Sequence, residues 1–374
     1  MRVPVVALVM ASLPGMVLAA QPAQTAPVAP ATASAAEPEE AAPLDAGEGR
    51  AVALKLAEEL EAKFTISANG ADYARLLRAN AAQGRYDAGN RGALAKLLTD
   101  DLQALHKDGH LHVMLAEERS GPRGGGEGRT RPPMIQSART LAPGVGYIRF
   151  TAFTGSPEEV AGVKAFMADN AEAQTLIFDL RNHHGGGLDE MNEIFPYLFA
   201  EQTPLVKMEI ARAVYDTDGT PFPEGPAMSF AKGPVKVTAT HFAIPNDSSS
   251  LRKANVYLLV SNATVSAAEH FALAMKSTGR ATLIGEATGG ANHFGGPLPL
   301  NDHFAVWMPI GRTYDIKTGK DWEGDGVAPD IAVDPQQALV VALEKAGLSH
   351  AEAVRLDAQE VPAEPVHRER LRAR

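Results

Sequence analysis

The 374-residue chain carries a formal charge of −10, contains no cysteine and is 45% hydrophobic. An acidic balance of this size argues against nucleic acid as a partner, and the missing thiols rule out disulfides, thiolate chemistry and a lipid-modified cysteine anchor. The length suffices for one large domain plus a small one.

Met1 and Arg2 precede a mostly apolar run, Val3 to Leu18, that exits through Ala19-Ala20-Gln21. A short basic start, an apolar middle and small exit residues predict a secretory signal peptide over residues 1–20 and a periplasmic or secreted protein. The run is too short, and too interrupted by Pro14 and Gly15, to span a membrane. Residues 21–45 are nearly all Ala, Pro, Thr, Ser and Glu, the composition of an extended linker. Helical spacing then links Ala53, Leu56, Ala57, Leu60 and Phe64, and again Leu94, Leu97, Leu98, Leu102 and Leu105. With a weaker helix near Tyr73 to Ala79, residues 46–107 read as a small N-terminal helical domain.

Beyond it the pattern changes. Strand-like runs occur at Leu111–Leu115, Val145–Phe150, Leu176–Leu180, Leu205–Ala211, Val256–Val260, Thr282–Ile284 and Phe304–Met308. Helix starts stand between several of them, at Ser156-Pro157-Glu158-Glu159, Leu188, Ser266 and Asp334-Pro335. Alternating strands and helices make the main domain, residues 108–348, α/β. Gly121 to Pro133 is a flexible connection without a phosphate-binding Lys-Ser/Thr, and residues 215–250 read as a long excursion near a site. Residues 349–374 read as a polar tail.

Four segments could carry chemistry. Ser266 opens Ser266-Ala267-Ala268-Glu269-His270-Phe271 straight after an apolar strand, presenting a hydroxyl beside free helix-start N–H groups. The same letters also form a capping box that merely starts a helix. Asp179-Leu180-Arg181-Asn182-His183-His184-Gly185-Gly186-Gly187 ends another strand in bare backbone able to face a ligand, or in a plain glycine turn locked by Asp179 and Arg181. His110, where a helix gives way to a strand, could act as a general base. His110 and His112 share a strand face, so a metal pair completed by His183 and His184 is a competing reading. Glu323, in a turn-rich stretch, could orient a histidine or be a solvated loop carboxylate.

Taken in order, these segments resemble one serine-peptidase family, which holds the tail-specific (C-terminal processing) peptidases, the tricorn core and the repeats of interphotoreceptor retinoid-binding protein. The resemblance is carried by Asp179-Leu180-Arg181 with its glycines, Thr264-Val265-Ser266-Ala267-Ala268-Glu269, Gly285-Glu286-Ala287-Thr288 and Gly326-Val327-Ala328-Pro329-Asp330-Ile331. Asp108-Gly109-His110-Leu111 behind N-terminal helices is similar to the retinoid-binding-protein branch, and no PDZ segment fits between residues 116 and 145. The resemblance implies a crotonase-like ββα spiral core and peptide hydrolysis on a peptide or protein substrate, with no cofactor or metal. Ser266 becomes the nucleophile, with Gly185, Gly186 and Ala267 as the oxyanion hole. The lysine of the tail-specific dyad would fall on Ala291, so the dyad is absent, and the tricorn-like arrangement assigns His110 as base and Glu323 as its support. Gly109 stands where tricorn has a supporting serine, and His183 where many relatives have asparagine. The alternative is a non-catalytic binding protein for apolar ligands or peptides on the same scaffold. The sequence demands no oligomer and leaves room for one.

Overall fold

A computed structural model describes residues 39–87, 89–116 and 133–360. The expected signal peptide, most of the linker, the Gly121–Pro133 loop except Pro133, and residues 361–374 lie outside the described residues.

Three helices come first: α1 (Glu48–Lys63), α2 (Ser67–Ala82) and α3 (Arg91–Leu105). Asn90 caps α3 by accepting the Ala93 N–H at 2.8 Å. Each helix buries one stripe at helical spacing, with Val52, Leu56 and Leu60 on α1, Tyr73 and Leu77 on α2, and Leu94, Leu98 and Leu102 on α3. These stripes do not close on one another alone. The same core takes in Leu111, Val113 and Leu115 from β1 (His112–Leu115) and Phe304, Val306 and Met308 from β11 (Phe304–Tyr314). The helices expected as a unit over 46–107 therefore form a layer on a sheet built from distant sequence.

That sheet runs β1-β11-β5-β7-β6, with β10 (Phe294–Pro299) also on β11. β5 (Thr203–Ala211), β6 (Met228–Lys232) and β7 (Lys236–Ala243) complete it, and every pairing is antiparallel. The region expected as an excursion, 215–250, is corrected here. It supplies a hairpin whose β7 alternates buried and outward residues between β5 and β6.

The second sheet runs β12-β9-β8-β4-β3-β2. β3 (Val145–Phe150), β4 (Thr175–Asp179), β8 (Asn255–Val260), β9 (Thr282–Gly285) and β12 (Ile331–Ala332) are parallel, and β2 (Ile135–Ala142) is an antiparallel edge. Both faces are covered, which is why these strands read as continuous apolar runs. On one face, Ile148, Phe178 and Leu258 sit in register and pack under α4 (Pro157–Asp169), α5 (Asp189–Leu198) and α7 (Ala267–Ser277). One residue back, Tyr147, Ile177 and Tyr257 face α8 (Ala338–Lys345) and α9 (His350–Asp357). A short α6 (Arg212–Asp218) follows β5. The helix α9 corrects the expected polar tail: Ser349 caps it, and Ala353 and Leu356 are buried in the core. Among the described residues no helix is long and apolar enough to cross a membrane.

Candidate active site

β8 delivers the chain to Ser266 through a turn tied to its neighbours. Thr264 Oγ1 donates to the Leu180 carbonyl at 2.7 Å and accepts the Ser261 N–H at 2.9 Å. Val265 N–H reaches the His183 carbonyl at 3.0 Å. Ser266 then adopts φ 58°, ψ −120°, alone at positive φ among the described non-glycine residues. A side chain held there stores strain that the surroundings must outweigh. Glu269 does so: its buried carboxylate accepts the N–H groups of Ser266 (2.9 Å), Gly290 (2.7 Å) and Ala291 (2.8 Å) and the Thr288 hydroxyl (2.5 Å). Burial pushes this carboxyl up, against the pull of those bonds. The capping-box glutamate thus clamps the 288–291 loop to the start of α7, a larger task than starting a helix.

The glycine turn lies against this serine. Arg181 forks onto Asp179 at 2.9 and 2.6 Å, and Tyr147 donates to Asp179 at 2.7 Å. Burial alone would raise the Asp179 carboxyl, and the Arg181 charge together with the hydrogen bonds from Arg181 and Tyr147 holds it low. Gly185 and Gly186 have φ of 93° and 133°. A Cβ on Gly185 would stand 2.7 Å from that of Ser266, and one on Gly186 would stand 1.8 Å from the Phe153 carbonyl oxygen. Only glycine fits either place. Gly185 N–H donates to His183 Nδ1 at 3.0 Å, so its contribution is clearance for the serine rather than a donor aimed at a ligand. His183 is fully buried against Phe153, and burial followed by the His184 charge pushes its imidazole down to about 3.

His110 arrives from the other sheet. Asp108 Oδ1 accepts the N–H groups of His110 (2.8 Å) and Leu111 (2.9 Å), and the Gln103 amide braces the same turn through Asp108 and Leu111. The imidazole stacks on Trp307 with ring centroids 6.2 Å apart at 22°. His110 and Ser266 line one cavity of about 550 Å³ together with Gly186. Its other walls are mainly apolar, with Leu188, Phe222, Met228, Phe294 and Trp307, and include Asn192 and His241. The segment 221–228, inside the expected excursion, supplies much of that wall. His241 bonds to Asn192 at 2.8 Å and to His270 at 2.9 Å, and burial pushes its imidazole down to about 4.

Glu323 is no solvated loop carboxylate. It accepts N–H groups from Gly109 (2.7 Å), Asn292 (2.6 Å) and His293 (3.1 Å). Burial first, then the Asp108 charge, raises its carboxyl to about 7, with His293 opposing. No local spacing marks His293, which follows Gly289-Gly290-Ala291-Asn292. Its Nδ1 meets Asp108 at 2.5 Å. Gly109 is closed in as well: a Cβ there would lie 2.9 Å from both Cα and Cβ of Ala291. Gly109 and Ala291 therefore fill one space together, and a side chain added at position 109 would meet Ala291.

The rival metal reading finds no support in these positions. His112 is exposed, with Nδ1 at 2.8 Å from the His110 carbonyl, and His183 Nδ1 accepts the Gly185 N–H. The two groups of described residues close enough to share an ion are Asp45, Glu48, His303 and Asp108, His293, Glu323, neither of which contains His110, His112, His183 or His184.

Comparison with known proteins bears on the same stretches. A chloroplastic C-terminal processing peptidase of Tetradesmus obliquus is 25% identical over 208 residues, which is 54% of this chain and 38% of that relative. The chain thus spans well under half of the relative's length. Among solved structures, a candidate peptidase of Parabacteroides merdae aligns with a TM-score of 0.56 at 17% identity, over 82% of this chain and 98% of that one. A lipoprotein of Streptococcus agalactiae gives 0.53 at 13% identity, over 80% and 97%. Both likenesses concern the mixed α/β fold. The sequence profile of peptidase family S41 matches residues 144–333, from the start of β3 through β12, taking in the glycine turn, Ser266 and Glu323 and leaving His110 outside. The chain belongs to peptidase family S41.

Proposed function

We propose that the chain is an exported serine peptidase in which Ser266, His110 and Glu323 act together. The observation that carries this reading is the strained backbone of Ser266 on the wall of a cavity that His110 also lines. Strain of this kind persists only where the surroundings enforce it, and it gathers at reacting groups. His110 takes the hydroxyl proton as Ser266 Oγ attacks the peptide carbonyl, then returns it to the leaving amine. Water repeats the sequence on the acyl-enzyme and regenerates the serine. The N–H groups of Ala267, at the start of α7, and of Gly186 hold the oxyanion, with Gly185 clearing the approach. Glu323 supports the base through the N–H of Gly109.

The parallel strand–helix repeats of β3, β4, β8 and β9, together with family membership, support the finer fold reading, a crotonase-like spiral core. Substrates are peptides whose apolar side chains fill the Phe222, Met228 and Phe294 wall. Export rests on the signal-peptide pattern of residues 1–20.

Casein hydrolysis by the wild-type chain, Ser266→Ala and His110→Ala tests the reading. Cleavage by the wild type and loss in both variants is expected. Full activity in Ser266→Ala would overturn the assignment, and a folded wild type that binds peptides without cutting them would favour the binding-protein alternative.

A further inference from the structure

We propose that Asp108 and His293 form a positioning pair for His110, with His293 Nδ1 donating to one oxygen of Asp108 while the other oxygen holds the backbone of His110 and Leu111. The inference rests on the serine-peptidase reading and adds two residues to it. Asp108 is 3% exposed and His293 likewise 3%, so neither bond is shared with solvent. Every bond of the Asp108 carboxylate has a direction that matters: two N–H groups of the turn that carries His110, at 2.8 and 2.9 Å, and His293 Nδ1 at 2.5 Å. The turn is thereby tied to the loop 290–293, which Glu323 grips at Asn292 and His293 and Glu269 grips at Gly290 and Ala291. Glu269 is the same carboxylate that holds the Ser266 N–H. A continuous chain of buried and part-buried hydrogen bonds therefore runs from the nucleophile's backbone to the base's backbone, and the buried Asp108–His293 bond is a link in it.

Besides Asp108, the His293 Nδ1 lies 3.8 Å from Glu323 Oε2. The His293 Nε2 is buried without a hydrogen-bond partner, and the ring lies edge-on to Phe64 with centroids 6.3 Å apart. A buried histidine with one nitrogen facing hydrocarbon needs its other nitrogen well bonded. Burial works against charge on this imidazole, yet the Asp108 carboxylate and then Glu323 push it up.

The test measures fluorophosphonate labelling of Ser266 in wild type, His293→Leu, His293→Asn and Asp108→Asn, separating the maximal labelling rate from the half-saturating probe concentration. Misplacing a base by about 1 Å costs on the order of 10²-fold. His293→Leu should lose about that much in maximal rate while the half-saturating concentration stays within about twofold. His293→Asn, whose amide nitrogen can occupy the Nδ1 position, should recover most of the loss. Thermal midpoints establish the folded fraction. If His293→Leu does not fold, Asp108→Asn carries the comparison, with a loss of similar size expected. Maximal rates equal to wild type in folded His293→Leu and Asp108→Asn, whatever their thermal midpoints, would overturn the pairing and leave the peptidase reading intact. Failure of wild type to label at Ser266 would instead remove the reading on which the pairing rests.

Discussion

The two halves of the candidate site are held in place by different physics. Ser266 is fixed locally: a strand end, a strained residue and a glutamate three positions on in the same helix, whose four bonds all come from neutral donors. His110 is fixed from afar, by Glu323 across the sheet and by Asp108 with its partner His293. Two carboxylates and an imidazole surround the turn that carries the base. The nucleophile's turn thus rests on the Glu269 carboxyl, pushed up by burial, whereas the base's turn rests on three titratable side chains, Asp108, His293 and Glu323. Variants that act on one half at a time can break this comparison or sharpen it.

The largest effect belongs to the nucleophile. Ser266→Ala should lower peptide turnover on the order of 10⁴–10⁶-fold, since members of such a unit fail together. Gly185→Ala should follow. A Cβ 2.7 Å from that of Ser266, on backbone at φ 93°, forces the serine aside and should cost about 10²-fold in turnover and about 1–3 kcal/mol in denaturant midpoint analysis. Unchanged turnover in that variant would mean that the close approach has no bearing on the chemistry. On the opposite half, Gly109→Ser drives a side chain into Ala291, and about a tenfold loss is expected. Restoring room by Ala291→Gly in the same chain should recover part of it, which a steady-state assay of the double variant reads directly.

The smallest effect is on stability, and it has a sign. Glu323 ionises at about 7 in the folded protein against an ordinary 4.5, so the native state keeps a proton that the unfolded chain gives up. Stability is full below about 4.5 and declines as pH rises through 7. His293, raised above its ordinary 6.5, adds loss in the same direction as pH climbs past its folded value. Asp108, held low, contributes across this window and weakens only in stronger acid. Thermal midpoints of wild type should fall between pH 4.5 and 7, and Glu323→Gln should flatten that fall. Parallel curves for the two proteins would contradict the assignment.

Much of the nucleophile half was legible in the sequence, because its determinants are neighbours along the chain. β3, β4 and β8 read as strands since burial on both faces makes them continuous apolar runs, and Ser156 caps its helix as its spacing predicts. The strands that escaped notice have weaker signatures. β10 contains two glycines and two prolines at positions where it pairs only with β11, β12 is two residues long, and β7 is masked by the turn-rich residues around it. The helix α9 escaped because eight residues with two buried side chains leave little periodicity. On the base half, the settings of His110 and Glu323 made them candidates, and their likeness to relatives assigned their roles. Asp108 and His293 could not be paired, because their contact joins segments that nothing in local spacing connects. The Gly109–Ala291 contact is of the same kind: each residue looks like a departure from a relative until the two are seen to fill one space.

The central claim is that Ser266 is the group His110 activates. Fluorophosphonate labelling followed by mass mapping of the modified peptide, on wild type and on His110→Ala, tests it most directly. The account predicts one adduct, on Ser266 in wild type, formed at least about 10²-fold more slowly when the imidazole is removed. An adduct elsewhere in the chain, or equal rates in the two proteins, would contradict it.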